Sequence, residues 1–303
     1  MNQKLVSIIM NCFNGEKYLN EAIESVLNQD YENWELIFWD NQSTDNSSNI
    51  FKSYKDSRLK YHYAKSHTKL YEARNYAISY AQGDFLSFLD TDDCWFQDKL
   101  SSQVPLFNNP KVGIVYSNYT ILDEMVAIKY EVKTKLYRGN ITSQLLKEYF
   151  IGLLTLMIRK EAYDKEEHKF DSNLQIIGDL DLTVRLSGRW EGDFCEKNLA
   201  ICRKHGENLL IKESGSNTKE LMYWQDKIST NKNIINSKGY IYFIQNTHYL
   251  NIKQDIKDNK LLHSIQNLLK IRNMTLFIKG LIIIAFPARL ILFIKNAQIS
   301  KIK

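Results

Sequence analysis

The order of apolar and polar positions divides the first part of the chain into alternating strands and helices. Residues 6–10 form a short apolar run of the kind a buried strand shows, and Asn14-Gly15 ends it. Tyr18, Leu19, Ala22, Ile23, Val26 and Leu27 then recur at helical spacing, with Glu16, Lys17, Glu21 and Glu24 between them. Residues 35–39 read as a second strand ending at Asp40, and Ser43-Thr44-Asp45 supplies cap residues for a helix through Ile50 and Tyr54. A third strand is predicted over 59–63, a helix over 72–81 that stops at Gly83, a fourth strand over 85–89 and a fifth over 112–116. Such alternation predicts an α/β fold: a largely parallel sheet with helices on both faces. In sheets of that kind ligands bind beyond the carboxyl ends of the strands. Asp40 and the run Asp90-Thr91-Asp92-Asp93 both fall there.

The acid run narrows the chemistry. A strand ending in Asp-x-Asp aims both carboxylates one way, because side chains two apart on a strand share a face. Convergent carboxylates repel unless a cation sits between them, and Mg2+ or Mn2+ takes carboxylate oxygens while leaving room for substrate phosphates. A solvated turn is the other reading, since Asp is a common turn former.

From about Lys219 the texture changes to a Lys-, Asn-, Ile- and Tyr-rich stretch with few turn signals, which predicts a helical extension. Its end, 275–294, is strongly apolar but interrupted by Lys279, Pro287 and Arg289. A spanning helix needs about twenty nearly uninterrupted apolar residues, so the expectation is an amphipathic segment on an anionic membrane surface. A hydrophobic helix docked on the protein's own core is the alternative. The expected division is 1–215 for the sheet domain, with 1–100 and 101–215 as its halves, and 216–303 for the extension.

Charge agrees with this division. Eight basic residues and no acid follow Asp258, and residues 1–258 carry 32 basic residues against 35 acidic ones. A basic face on the folded body, which a general nucleic-acid binder needs, is therefore not expected. Cys12, Cys94, Cys195 and Cys202 show no Cys-x-x-Cys spacing, so neither a zinc site nor a disulfide framework is expected, and a reducing cytosol is. Residues 1–5 lead directly into a strand without the apolar core of a signal peptide.

With these residues placed, the chain resembles the family 2 glycosyltransferases of GT-A fold over roughly residues 4–210. The resemblance rests on Val6-Ser7-Ile8-Ile9-Met10-Asn11-Cys12-Phe13-Asn14, Trp39-Asp40-Asn41-Gln42-Ser43-Thr44-Asp45, Ala73-Arg74-Asn75 and Phe88-Leu89-Asp90-Thr91-Asp92-Asp93. Gly178-Asp179-Leu180-Asp181-Leu182 and Arg203-Lys204-His205-Gly206-Glu207-Asn208 follow in order. Asp92-Asp93-Cys94-Trp95, with Lys99-Leu100 and Gln103, is similar to enzymes that build bacterial surface polysaccharides.

The resemblance implies a Rossmann-like, mixed, mainly parallel sheet flanked by helices. It also implies transfer of one sugar from a nucleotide diphosphate donor, UDP first, to a glycan or lipid-linked glycan hydroxyl, with Mn2+ or Mg2+ and with inversion. The setting would be the cytoplasm, peripheral to the inner face of the membrane. Asp40 would accept from the base N–H, or else cap its own turn. Asn11 would line the base pocket or serve as a turn residue. Arg74 would hold nucleotide or diphosphate, or sit in a surface ion pair. Asp90 would face the ribose, and Asp92 would bind the metal. His205 would complete the metal shell or be a surface histidine, and Arg203 would meet phosphate. Asp179 would be the base that takes the acceptor proton, although Asp181 competes for that role and both could instead cap the following helix.

Three positions depart from the family pattern: Gly178 in place of an acid, Asn41 where a second acid is common, and Lys69 where a Gly often stands. A processive synthase is disfavoured, because Leu186 occupies the Gln position before Arg189-Trp190. A catalytically inactive nucleotide-binding scaffold of a polysaccharide assembly complex is the alternative from another class.

Overall fold

The computed structural model describes residues 3–208 and 217–285. These fall into two compact units, Met1–Ser214 and Gly215–Lys303. In the first, β1 (Val6–Cys12), β2 (Trp34–Asp40), β3 (Leu59–Tyr63) and β4 (Phe85–Phe88) pair in the parallel order β3-β2-β1-β4. Helices α1 (Leu19–Leu27), α2 (Ser47–Ser53) and α3 (Leu70–Ile78) make the crossovers between them. Strands β1 and β2 are buried almost throughout, which accounts for their unbroken apolar runs.

Gly83 lies beyond the end of α3 rather than stopping it. A Cβ there would come within 2.7 Å of the Leu5 carbonyl oxygen and the Ser7 nitrogen, so this glycine lets the chain enter β4 hard against β1.

Beyond β4 the sheet becomes mixed, and four of its strands lie outside the sequence reading. They are β5 (Cys94–Trp95), β7 (Ile128–Val132), β8 (Met157–Arg159) and β9 (Glu191–Lys204), which join β6 (Val112–Asp123) in the order β4-β8-β6-β9-β5, with β7 on β6. Strand β8 runs antiparallel to both β4 and β6, whereas β6 and β9 run parallel. Helices α4 (Lys99–Gln103), α5 (Thr142–Lys147), α6 (Lys160–Asp164) and α7 (Gly178–Ser187) flank this half. The core packs β1, β2 and β4 against α1, with Trp34, Phe38, Phe85 and Trp95 among its largest side chains.

The second unit is helical: α8 (Asn217–Ile228), α9 (Lys232–Ile235), α10 (Lys238–Lys257), α11 (Leu261–Leu269) and α12 (Met274–Ala285). Helices α10 to α12 enclose a small core of Ile252, Leu268, Ile271, Leu276 and Ile283. The apolar segment predicted over 275–294 continues past 285, and that later part, with Pro287 and Arg289, lies outside the described residues.

Candidate active site

The two-residue strand β5 assembles the site. It pairs antiparallel with β9, Cys94 opposite Ile201, so that Asp92 and Asp93 run alongside Arg203 to His205. The buried Asp93 carboxylate locks this register by accepting the Arg203 backbone N–H at 2.9 Å. Burial, with Asp92 and Asp90 nearby, pushes the Asp93 carboxyl well above the ordinary range.

Asp90 and Asp92 project from a turn, because β4 ends at Phe88; the shared strand face expected for them is not formed. Asp90 accepts from Arg74 Nη2 at 2.6 Å. Asp92 Oδ2 meets His205 Nε2 at 3.0 Å and Asn208 Nδ2 at 3.0 Å. Burial and the Asp90 charge raise the Asp92 carboxyl, partly offset by His205. The imidazole Nδ1 accepts the Glu207 N–H at 3.2 Å, which places the ring hydrogen on Nε2, facing Asp92. Among the described residues no three His, Cys, Asp or Glu side chains close round one point. The donor set here is a carboxylate and an imidazole. Neighbouring ligands of an octahedral ion with bonds of about 2.1 Å lie about 3 Å apart, so the 3.0 Å separation suits either a hydrogen bond or two adjacent metal ligands.

Arg74, on α3, is buried, its guanidinium beside the half-exposed Asp90 and over the Tyr71 ring. It also bears electrostatically on Asp179 at the start of α7. Asp179 Oδ1 accepts the Leu180 N–H at 2.9 Å and lies 3.4 Å from the Tyr71 hydroxyl. Burial raises its carboxyl above the ordinary range against the pull of the Leu180 N–H, Arg74 and Tyr149. The Tyr149 hydroxyl makes no hydrogen bond of good geometry, yet it is close enough to Asp179 for the two charges to be linked. Asp181 is different: it is fully buried and paired with Arg185 at 2.9 Å, and Arg185 also binds Glu166. That ion-pair network commits Asp181 to the scaffold.

Three further expectations meet specific surroundings. Asp40 is fully buried, accepting the Ser43 N–H and the Tyr61 hydroxyl at 2.7 Å each; in this structure it caps its own turn. Arg203 is engaged by protein groups. Its guanidinium is held by Glu124, Glu21 and the Asp92 carbonyl and lies over the Tyr18 ring, so its charge is spent within the protein rather than offered to phosphate. Asn11 donates to the Leu70 carbonyl at 3.3 Å, while its Oδ1 is buried without a partner. An orphaned acceptor at a strand's carboxyl end is the group that an incoming N–H would satisfy.

The sequence reading missed Asn208 as an Asp92 partner, the Glu21–Glu124 clamp, and the two tyrosines beside Asp179. Tyr71 had a usable signal, since it stands three residues before Arg74 and so shares its helix face. Tyr149 had none. Two hollows of about 540 and 510 Å3 in this unit are lined by other residues, such as Asp98 with Glu131 and Asp84 with Lys160, and do not include the acid rim.

A family model described as glycosyl transferase family 2 matches residues 7–165, just over half the chain. The chain belongs to that family. Among curated relatives, it is 37% identical over 161 residues to the UDP-Glc:alpha-D-GlcNAc-diphosphoundecaprenol beta-1,3-glucosyltransferase WfgD of Escherichia coli, covering 52% of this chain and 61% of that one. It is 31% identical over 166 residues to the putative teichuronic acid biosynthesis glycosyltransferase TuaG of Bacillus subtilis, covering 52% and 63%. In both cases the chain spans less than two thirds of the relative's own length. Among solved structures, S. aureus TarS 1-349 in complex with UDP-GlcNAc superposes with a TM-score of 0.68 at 16% identity, covering 88% of this chain and 81% of that one. Mannosyltransferase PcManGT from Pyrobaculum calidifontis, in complex with GDP-Man and Mn2+, gives 0.55 at 14% identity, covering 97% and 79%. The fold of this family 2 chain is GT-A.

Proposed function

We propose that this chain transfers one sugar from a nucleotide diphosphate donor, a UDP-sugar, to a hydroxyl of a glycan or lipid-linked glycan, inverting the anomeric centre, in surface-polysaccharide or lipopolysaccharide biosynthesis. The observation that carries the reading is the linked set Asp92–His205, Asp90–Arg74 and Asp179, drawn from four separate stretches of sequence. The names of the relatives support the substrate class: one acts from UDP-Glc on a GlcNAc diphosphoundecaprenol, and TarS was captured with UDP-GlcNAc.

Asp92 and His205 fit a hard divalent ion that keeps open positions for phosphate oxygens, and Mn2+ or Mg2+ there would neutralise the departing diphosphate. To coordinate through Nε2, the imidazole must move its hydrogen to Nδ1 and give up the Glu207 N–H. Asn11, with its free acceptor, faces the base N–H in this reading. Arg74 holds Asp90 toward the ribose and supplies positive charge at the diphosphate side. Asp40 contributes by fixing the Ser43 turn and Tyr61 around the base pocket. Asp179 takes the acceptor proton: the acceptor oxygen bonds to the anomeric carbon as the carbon–oxygen bond to diphosphate breaks, and the electron pair leaves with the diphosphate.

A screen of nucleotide sugars for Mn2+-dependent hydrolysis tests the donor class without needing an acceptor. Asp92→Ala should abolish metal-dependent donor binding. Asp179→Asn should leave donor binding intact and lower turnover by about 10^2 to 10^4. Full turnover in Asp179→Asn would sink the assignment of the base, and donor binding without turnover on any sugar would favour a scaffold.

A further inference from the structure

Besides the side chains they give to their own core, α11 and α12 carry a second set of apolar residues facing outward, which a helix serving only its own bundle does not need. On α11, Leu261, Leu262, Ile265 and Leu269 are 40–75% exposed, whereas Ser264 and Asn267 are buried. Asn267 is tied inward, its Nδ2 donating to Asp255 at 3.0 Å. On α12, Met274, Ile278, Leu281 and Ile282 are 44–68% exposed, while Leu276 and Ile283 fill the core. At 3.6 residues per turn each quartet forms one stripe about 100° wide.

Exposed cations flank the two helices, Lys260 and Lys270 at the ends of α11, Arg272 in the connection and Lys279 on α12, and of these Lys260 lies 3.8 Å from Asp258. No acidic residue follows Asp258. Apolar stripes flanked by cations suit the boundary between headgroups and acyl chains, where leucines enter the apolar layer and long basic side chains reach phosphates. A second copy of the chain would instead set the same cations against one another. We propose that α11 and α12 form a docking face for an anionic lipid surface, lying in its headgroup region along these two stripes. No described helix is long and apolar enough to cross a membrane. The proposal does not depend on the assignments at the acid rim.

The test is co-sedimentation of the full chain with vesicles of phosphatidylcholine alone or mixed with phosphatidylglycerol. The protein should pellet with the mixed vesicles only. Combining Leu262→Glu, Leu269→Glu and Ile278→Glu should weaken partition at least about tenfold, with donor hydrolysis in solution unchanged. Lys270→Gln should cost about fivefold. Equal binding to both vesicle types, binding to neither, or unchanged partition in the triple variant would each overturn the proposal. So would a dimer in sedimentation velocity that the triple variant dissolves while no vesicle binding is seen. If the triple variant fails to fold, as judged by its circular dichroism melt, Lys270→Gln with Arg272→Gln decides the matter alone.

Discussion

Tyr71 occupies the space that any side chain at position 178 would need: a Cβ on Gly178 would lie 2.4 Å from Tyr71 Cε2. The ring, stacked on Phe170, thereby reaches under the start of α7, where its hydroxyl accepts the Asp179 N–H at 3.3 Å. Its own hydrogen is divided between the Ile176 carbonyl at 3.2 Å and Asp179 Oδ1. At the position where the resemblance leads one to expect an acid, the Tyr71 ring fills the space. Gly178→Ala should therefore cost about 1–3 kcal/mol from overpacking. By displacing Asp179 it should also lower kcat by about a hundredfold, with the donor KM little changed. Adding Tyr71→Leu should restore the melting temperature without restoring kcat. Unchanged turnover in Gly178→Ala would show that this contact does not position Asp179.

Asp179 and Asp181 stand two residues apart and have opposite fates, which thermal melts and kinetics can separate. Asp181 is fully buried against Arg185, and removing one partner of a buried pair leaves the other charge uncompensated. Asp181→Ala should destabilise the chain by roughly 3 kcal/mol, at the lower end of that range because Glu166 still holds Arg185. Turnover per folded molecule should persist. Asp179→Asn should show the reverse pattern, keeping the melt and losing turnover. A normal melt in Asp181→Ala would remove its scaffold role.

The parallel half of the sheet was legible because β1, β2 and β4 are buried on both faces and write themselves as apolar runs. Strands β5 and β8, of two and three residues, are too short to leave a pattern. Strand β9 is 14 residues long but half-exposed along much of its length, with Glu191, Asp193, Glu196 and Lys197 in it; it is a strand because β6 is there to pair with it. Side-chain chemistry followed the same rule. Asp92 and His205 stand in local motifs and meet at 3.0 Å, whereas the partners of Arg203, Glu21 and Glu124, are 182 and 79 residues away. No local pattern records such a partner.

His205 gives the metal proposal a direct readout. Chelation should abolish donor hydrolysis and added Mn2+ should restore it. His205→Ala removes one of the two converging donors, so half-maximal activity should require at least about tenfold more Mn2+. Asn208→Ala should move the requirement less, because the Asn208 amide braces the site, its Nδ2 donating to Asp92 and to the Arg203 carbonyl and its Oδ1 accepting the His205 N–H. A Mn2+ requirement unchanged in His205→Ala would remove the imidazole from the metal shell.

Arg74 should set the acid side of the pH–rate profile. In the mechanism we propose, Asp179 takes the acceptor proton as a carboxylate, so kcat at saturating donor and metal should rise as pH climbs through its pKa. Burial has already raised that pKa, and the Arg74 charge holds it down. Arg74→Gln removes the opposing cation and frees the Asp90 charge, and both changes disfavour ionised Asp179. The acid limb of kcat should therefore shift to higher pH. Arg74→Lys keeps the charge but loses the planar fork, so its limb should stay near wild type while the donor KM rises. An acid limb that stays in place in Arg74→Gln while the donor KM rises would confine Arg74 to donor binding and separate it from the ionisation of Asp179.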